Sequence, residues 1–217
     1  MGWHLGNKGK RGEAGSDMRF FLEHEHDFVG ALNVNTLARE NGIDFLIRKP
    51  FDNPPMFRRL EDEYRALGFW DLGGRFRRRT PQQQADFARH AAEIGLRVLP
   101  PVASRIGDQF CYPFLQAAKP LDEYLPKSGP EAVYIIEELF NDLWNAHRQS
   151  IIYGDRWSQN VLVDPHLGPI HVDFDLEILG EYAIDFEVAQ MAYYTAIAAP
   201  ADAISSLTRE LATPGWF

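Results

Sequence analysis

Between residues 131 and 149, Val133, Ile136, Phe140, Leu143 and His147 recur at i, i+3, i+7, i+10 and i+14. This is the spacing of one helix face, so the segment predicts a long helix whose stripe must be covered by a core while its other side stays wet. Two short apolar runs follow, Val161–Val163 and Ile170–Val172, joined across Pro165–Gly168 as a predicted hairpin. A helix apolar nearly all round is predicted over 186–199, ended by Pro200, and a last short one over 202–212. The second half is therefore mainly helical, with one small hairpin.

The first half has a different period. Asn41-Gly42 is the strongest hairpin signal in the chain and joins Asn35–Glu40 to Ile43–Phe51, where Phe45 and Ile47 alternate with polar neighbours. Met18–Leu22 and Phe28–Arg39 are β-compatible, and Leu96–Ser104 with Gln109–Leu115 reads as another strand pair, turning near Gly107-Asp108. Helices are predicted over Phe57–Leu67 and over Pro81–Ile94, the second with proline in its first turn and Gly95 as its stop. The run Arg75–Arg79 reads as a solvated face or a mobile loop. Gly6, Gly9 and Gly12 lack the preceding strand and following helix of a phosphate loop. His24 and His26 share a strand face, as metal ligands or as part of a polar edge. The expected class is α+β: a loose tail over 1–17, a β-rich lobe over 18–115, a hinge at 116–120 and a helical lobe over 121–217.

Composition narrows the setting. With 217 residues, 45% of them hydrophobic, the chain can bury a real core as one large domain or one two-lobed unit. The single cysteine, Cys111, rules out an internal disulfide and a multi-cysteine metal site. A formal charge of -9 argues against a protein that coats nucleic acid. No apolar run is long enough for a transmembrane segment, and MGWHLGNKGKRG is not followed by the apolar stretch of a signal peptide, so a cytoplasmic location is expected.

The chemistry concentrates in Ile151–Gln190. Asp155 falls in the loop after the amphipathic helix, Asn160 comes just before the first hairpin strand, and Asp173 ends the second. The hairpin brings Asn160 and Asp173 together as hard oxygen ligands suited to Mg²⁺, with Asp155 set to accept a proton from an attacking hydroxyl.

Tyr-Gly-Asp-x4-Asn followed by Val-Asp-Phe-Asp resembles the catalytic and metal loops of the protein-kinase-like superfamily, nearest in style to the aminoglycoside-phosphotransferase type. The short stretch after Asp185 is similar to that of lipopolysaccharide-core kinases and compact RIO-type kinases. The resemblance implies a two-lobed kinase-like fold, with an antiparallel β N-lobe carrying one or two helices and a short, mainly helical C-lobe. It implies ATP and Mg²⁺ as cofactors and a hydroxyl on a small molecule or protein as acceptor. By resemblance Asp155 is the catalytic base, Asn160 and Asp173 hold Mg²⁺, and Asp185 braces the catalytic loop and caps its helix. Tyr153 stands in the place of a histidine that braces that loop. Asp175 either joins the metal ligands or faces solvent, and Arg156 either steadies the transferred phosphate or makes a surface ion pair.

Lys49 takes the place of the phosphate-gripping lysine, because alternation with Phe45 and Ile47 sets it, rather than Arg48, on the apolar face. Its carboxylate partner is open among Glu61, Glu63, Asp86 and Glu93. Backbone groups of Leu115 and Ala117 would meet the adenine edge. No glycine-rich Gly-x-Gly-x-x-Gly loop is present, and Gly30 alone stands where a short phosphate lid would lie. Two other readings stay open. One is a pseudokinase that binds a nucleotide or partner without turnover, and the other is a metal-dependent hydrolase built on Asp173 and Asp175 with His166 or His171.

Overall fold

The strand-turn-strand signal around Gly42 and the helix signals that follow it produce a mixed α+β architecture. The computed structural model of the chain describes residues 26–29, 33–40, 42–102, 105, 106 and 109–212. The expectations for the tail, for Met18–Leu22, for His24 and for Gly30 fall outside these residues. In chain order come β1 (His26–Val29), β2 (Asn33–Glu40), β3 (Ile43–Pro50), α1 (Pro54–Ala66), β4 (Arg75–Arg78) and α2 (Pro81–Glu93). Then follow β5 (Arg105–Ile106), β6 (Gln109–Pro113), β7 (Lys119–Pro120), α3 (Leu121–Tyr124) and α4 (Glu131–Arg148). The described chain ends with β8 (Val161–Asp164), β9 (Gly168–His171), β10 (Leu176–Leu179), α5 (Ala183–Ala198) and α6 (Ile204–Leu211).

Three small antiparallel sheets result. The largest has the order β1-β2-β3-β6-β5, and β2 pairs with β3 from Asn33↔Pro50 to Glu40↔Ile43. A second joins β7, β8 and β9, and the third pairs β4 with β10. That last pair was not expected. It draws Arg75–Arg78 out of the loop predicted for them and sets Phe76 opposite Ile178, both buried.

Leu96–Ser104 does not form the predicted strand. Pro100 and Pro101 have no N–H to donate to a ladder, so among the described residues the segment is limited to a bridge from Val98 to His171 and a Val102 N–H bond to the Cys111 carbonyl at 2.8 Å. Leu96 and Val98 are instead buried in the main core. The other local signals behave as their chemistry dictates. Asn53 accepts the Met56 N–H to cap α1, and Thr80 with Gln83 closes a capping box on α2.

The main core gathers on the stripe of α4, where Ile136, Phe140 and Leu143 are fully buried against Leu121, Val161 and Met191. A second cluster surrounds Tyr64 and Phe69 beside the β4–β10 pair, and a third lines one face of the large sheet through Ala38, Phe45, Ile47 and Cys111. Among the described residues no helix is long and apolar enough to cross a membrane.

Truncating the stripe should be costly where it is buried and neutral where it is wet. Leu143→Ala should lose about 2–5 kcal/mol in urea denaturation. Tyr134→Ala, at a side chain 56% exposed on the same helix, should stay within about 0.5 kcal/mol of the parent.

Candidate active site

The loop after α4 turns through Ser150 and reaches Gly154 with φ +110°. A Cβ there would lie 2.0 Å from the Leu176 carbonyl oxygen, so both the dihedral and the space demand glycine. The Gly154 N–H donates to Oε1 of the fully buried Glu187 at 2.7 Å, and the other Glu187 oxygen pairs with His147 Nε2 at 2.7 Å. One carboxylate on α5 thus ties the loop to the end of α4.

Asp155 follows immediately. Its Oδ1 accepts from Tyr64 Oη at 3.0 Å and from Gln190 Nε2 at 2.7 Å. Gln190 is itself oriented, because its Oε1 accepts the Arg156 N–H at 2.7 Å. Burial pushes the Asp155 carboxyl above the ordinary range, against the opposing pull of the Arg156 charge and of these two hydrogen bonds. Asn160 Nδ2 donates to the Asp155 carbonyl at 2.8 Å, which commits its nitrogen and leaves its Oδ1 out of that bond.

Asp173 follows β9 with φ +58°, a left-handed conformation that Asp adopts at some cost. Arg156 holds it there. Its fully buried guanidinium donates to the carbonyls of Asn160 at 3.2 Å, Val172 at 3.1 Å and Asp173 at 2.8 Å. Arg79 acts in the same way one layer over, donating from Nη1 to Tyr153, Phe174 and Leu176 carbonyls at 3.3, 3.2 and 3.1 Å. Burial lowers the Arg79 guanidinium to about 10, well below its usual value yet still charged near neutrality. Arg156 is therefore a buried staple, correcting the expectation that it meets phosphate or forms a surface pair.

Arg48 and Asp173 line a cavity of about 230 Å³ with residues of the large sheet and of the hairpin β8–β9. Arg48 makes an ion pair with Asp173. Burial pushes the Asp173 carboxyl up, but the Arg48 guanidinium outweighs it and holds the group below its ordinary range. Asp175 is buried beside it and accepts from Asn33 Nδ2 at 3.3 Å. Its carboxyl is raised to about 7, by burial first and then by the negative charge of Asp173, so the pair shares a proton. The Asp173 Oδ1 is buried without a donor from an N–H or hydroxyl group.

Lys49 is not in this group. It shares the Phe45–Ile47 face as expected, but that face packs on the sheet's own small core, and at the strand end Lys49 is exposed. The opposite face, with Leu46 and Arg48, looks into the cavity. Two of the four carboxylates suggested for Lys49 are engaged elsewhere. Glu63 pairs with Arg59 at 2.9 Å and Asp86 with Arg89 at 3.3 Å, both on the outside, while α2 presents Gln84 to the cavity.

Leu115 and Ala117 lie in the turn after β6, where the Leu115 carbonyl accepts the Ala118 N–H at 3.2 Å, and neither lines the cavity. Asp185 lies in the first turn of α5, and the bond to the loop backbone at Gly154 comes from Glu187, two positions further on. Tyr153, expected as a brace, is fully buried and stacked on His171 at 4.3 Å. His171 is completely buried, and His166 is exposed in the hairpin turn. Sequence reasoning missed Tyr64, Arg79, Glu187 and Gln190. Glu187 and Gln190 were signalled as an i, i+3 polar pair inside an otherwise apolar helix.

No family model matches the chain, and no curated protein matches it.

Two measurements test this geometry. Gly154→Ala should lower the melting temperature sharply, since the backbone strain alone costs roughly 1–3 kcal/mol. Asp175→Asn should change how stability depends on pH. Below the ordinary carboxyl value of 3.8 both folded and unfolded chains keep the proton, but between 3.8 and about 7 only the folded chain does. Wild-type stability should therefore fall as pH rises through that window and level off above it. Asp175→Asn, still faced by Asp173, Arg48 and Asp155, should flatten this slope in melts taken from pH 4 to 8.

Proposed function

We propose that the chain is an ATP- and Mg²⁺-dependent phosphotransferase of the protein-kinase-like type, with the large sheet as its nucleotide lobe and the helical half as its catalytic lobe. The observation that carries this reading is the grouping of Asn160, Asp173 and Arg48 on one cavity, with Asn160 bonded to the backbone of Asp155. Among the described residues no three His, Cys, Asp or Glu side chains form a closed metal cage. The oxygens of Asn160, Asp173 and Asp175 instead make an open, hard donor set, in which Asp173 Oδ1 takes no N–H or hydroxyl donor and the proton shared by the two carboxyls could give way to a cation. A Mg²⁺ held there would neutralise charge developing on transferred phosphate oxygens.

The chain's own residues supply the rest. Asp155, kept buried and held by two donors at one oxygen, has its other oxygen for the proton of an acceptor hydroxyl. Arg48 offers the nucleotide phosphates the guanidinium fork that the family usually replaces with lysine. Leu46, Leu99, Leu162 and Phe174 give the cavity apolar walls suited to a base. The acceptor is a hydroxyl compound. A pseudokinase is the second reading, favoured by the Arg48–Asp173 ion pair, which ties up a metal ligand.

Calorimetry with ATP and Mg²⁺ should show binding to the wild-type chain and at least 10-fold weaker binding to Asp173→Ala, about the loss expected for one ligand. Asp155→Asn should lower ADP formation by about 10²–10⁴. No nucleotide binding by the wild type overturns both readings, and binding without ADP formation leaves the pseudokinase.

A further inference from the structure

Asp155 is held from outside the helical half as well as from within it. α1 follows β3, and its Tyr64 reaches 91 residues along the sequence to donate to Asp155 Oδ1. Tyr64 is 3% exposed, and its ring is fixed by Phe76 at 4.9 Å, Phe186 at 5.1 Å and Phe69 at 5.9 Å. Such a ring cannot swing its hydroxyl away without breaking the cluster. The cluster is itself anchored. Phe76 belongs to β4, which pairs with β10, and Trp70 Nε1 donates to the Glu61 carbonyl of α1 at 3.2 Å. Gly74 lets Phe69 close over it, since a Cβ there would fall 2.4 Å from that ring.

The second donor to the same oxygen, Gln190, comes from α5 on the other side. With Oδ1 committed to both, the plane of the carboxylate is set and Oδ2 is the oxygen that remains. Neither donor is needed to fill the core, because a phenylalanine at position 64 would retain nearly all of the ring packing. The hydroxyl is therefore the part of Tyr64 that packing does not explain.

We propose that Tyr64 is a positioning residue for the base: α1 and its aromatic cluster deliver one hydroxyl that fixes Asp155 so that its free oxygen faces the acceptor. This rests on the phosphotransferase reading for the role of Asp155, and only on the geometry for the link between the two residues.

A double-mutant cycle on the full chain tests it, using Tyr64→Phe, Asp155→Ala and the double variant. Two quantities are read: the melting temperature, and ADP formation from ATP and Mg²⁺ with water as acceptor. Tyr64→Phe should lower the melting temperature in the wild-type background and leave it unchanged when Asp155 is already alanine. It should lower kcat about 10-fold, the worth of one hydrogen bond to a charged group, with KM for ATP within about twofold of the parent. In the Asp155→Ala background it should lower kcat no further.

An equal loss of melting temperature in both backgrounds overturns the proposal, because the hydroxyl then acts elsewhere. An unchanged kcat, or a loss confined to KM, also overturns it while leaving the phosphotransferase reading intact. If the wild type forms no ADP and the melting temperatures are non-additive, the phosphotransferase reading falls and the Tyr64–Asp155 link stands.

Discussion

Six backbone carbonyls from the two functional loops converge on two buried guanidinium groups, three on Arg79 and three on Arg156. The local geometry of the site depends on this. Four of the six, those of Tyr153, Val172, Asp173 and Phe174, lie in segments that are neither helix nor strand and have no ladder to join, and a buried carbonyl without a donor costs about 1–3 kcal/mol. A single planar fork with five donors satisfies several at once, which an ammonium on a flexible stem cannot do in the same geometry. Burying the two charges is itself unfavourable. It is offset for Arg156 by nearby Asp155 and Asp173, and for Arg79 by Glu177 at 3.8 Å. Acidic site and basic staples thus stabilise one another, and neither would be stable in the interior alone.

This interdependence explains why the left-handed Asp173 persists. Its strain is local, but Arg156 binds the carbonyls before and after the bond that must turn, Val172 and Asp173, so relaxing the dihedral would forfeit both. Glu187 plays the matching part for Gly154 by occupying the N–H that a left-handed glycine turns inward. The loops around Gly154 and Asp173 are therefore held by Arg79 after β4 and Glu187 on α5 together with Arg156 of the first loop itself.

That division also sets what a sequence reader could see. α4, α2, the β2–β3 hairpin and the β8–β9 hairpin were legible because each is written in local terms: a stripe, a capping box, a tight turn. The order Asp155, Asn160, Asp173 was legible for the same reason, since one short hairpin brings them together. The β4–β10 pair was not, because its strands lie about a hundred residues apart and Arg75–Arg79 carries the composition of a wet loop. Arg79 is buried only because β4 ends under Gly154. Asp185 was a natural choice for the brace, being acidic and at the helix start. Glu187 takes the role because its position on the turn points it at the loop.

The exchange of Lys49 for Arg48 follows from the sheet having two apolar faces. Alternation in β3 was read correctly, and Phe45 and Ile47 do face a core, but it is the small one that includes Cys111. A strand with a core on one side and a cavity on the other shows the same alternation in either phase, so period alone cannot tell which side is the cavity. Chemistry can. The cavity face must hold a cation against Asp173 and Asp175, two carboxyls so close that they share a proton. A lysine desolvated there could relieve its burial by giving up its proton, whereas arginine stays charged, and Arg48 is held even more firmly protonated than a free guanidinium by those two acids. The residue that can bear permanent charge in that position is the one the fold turns inward.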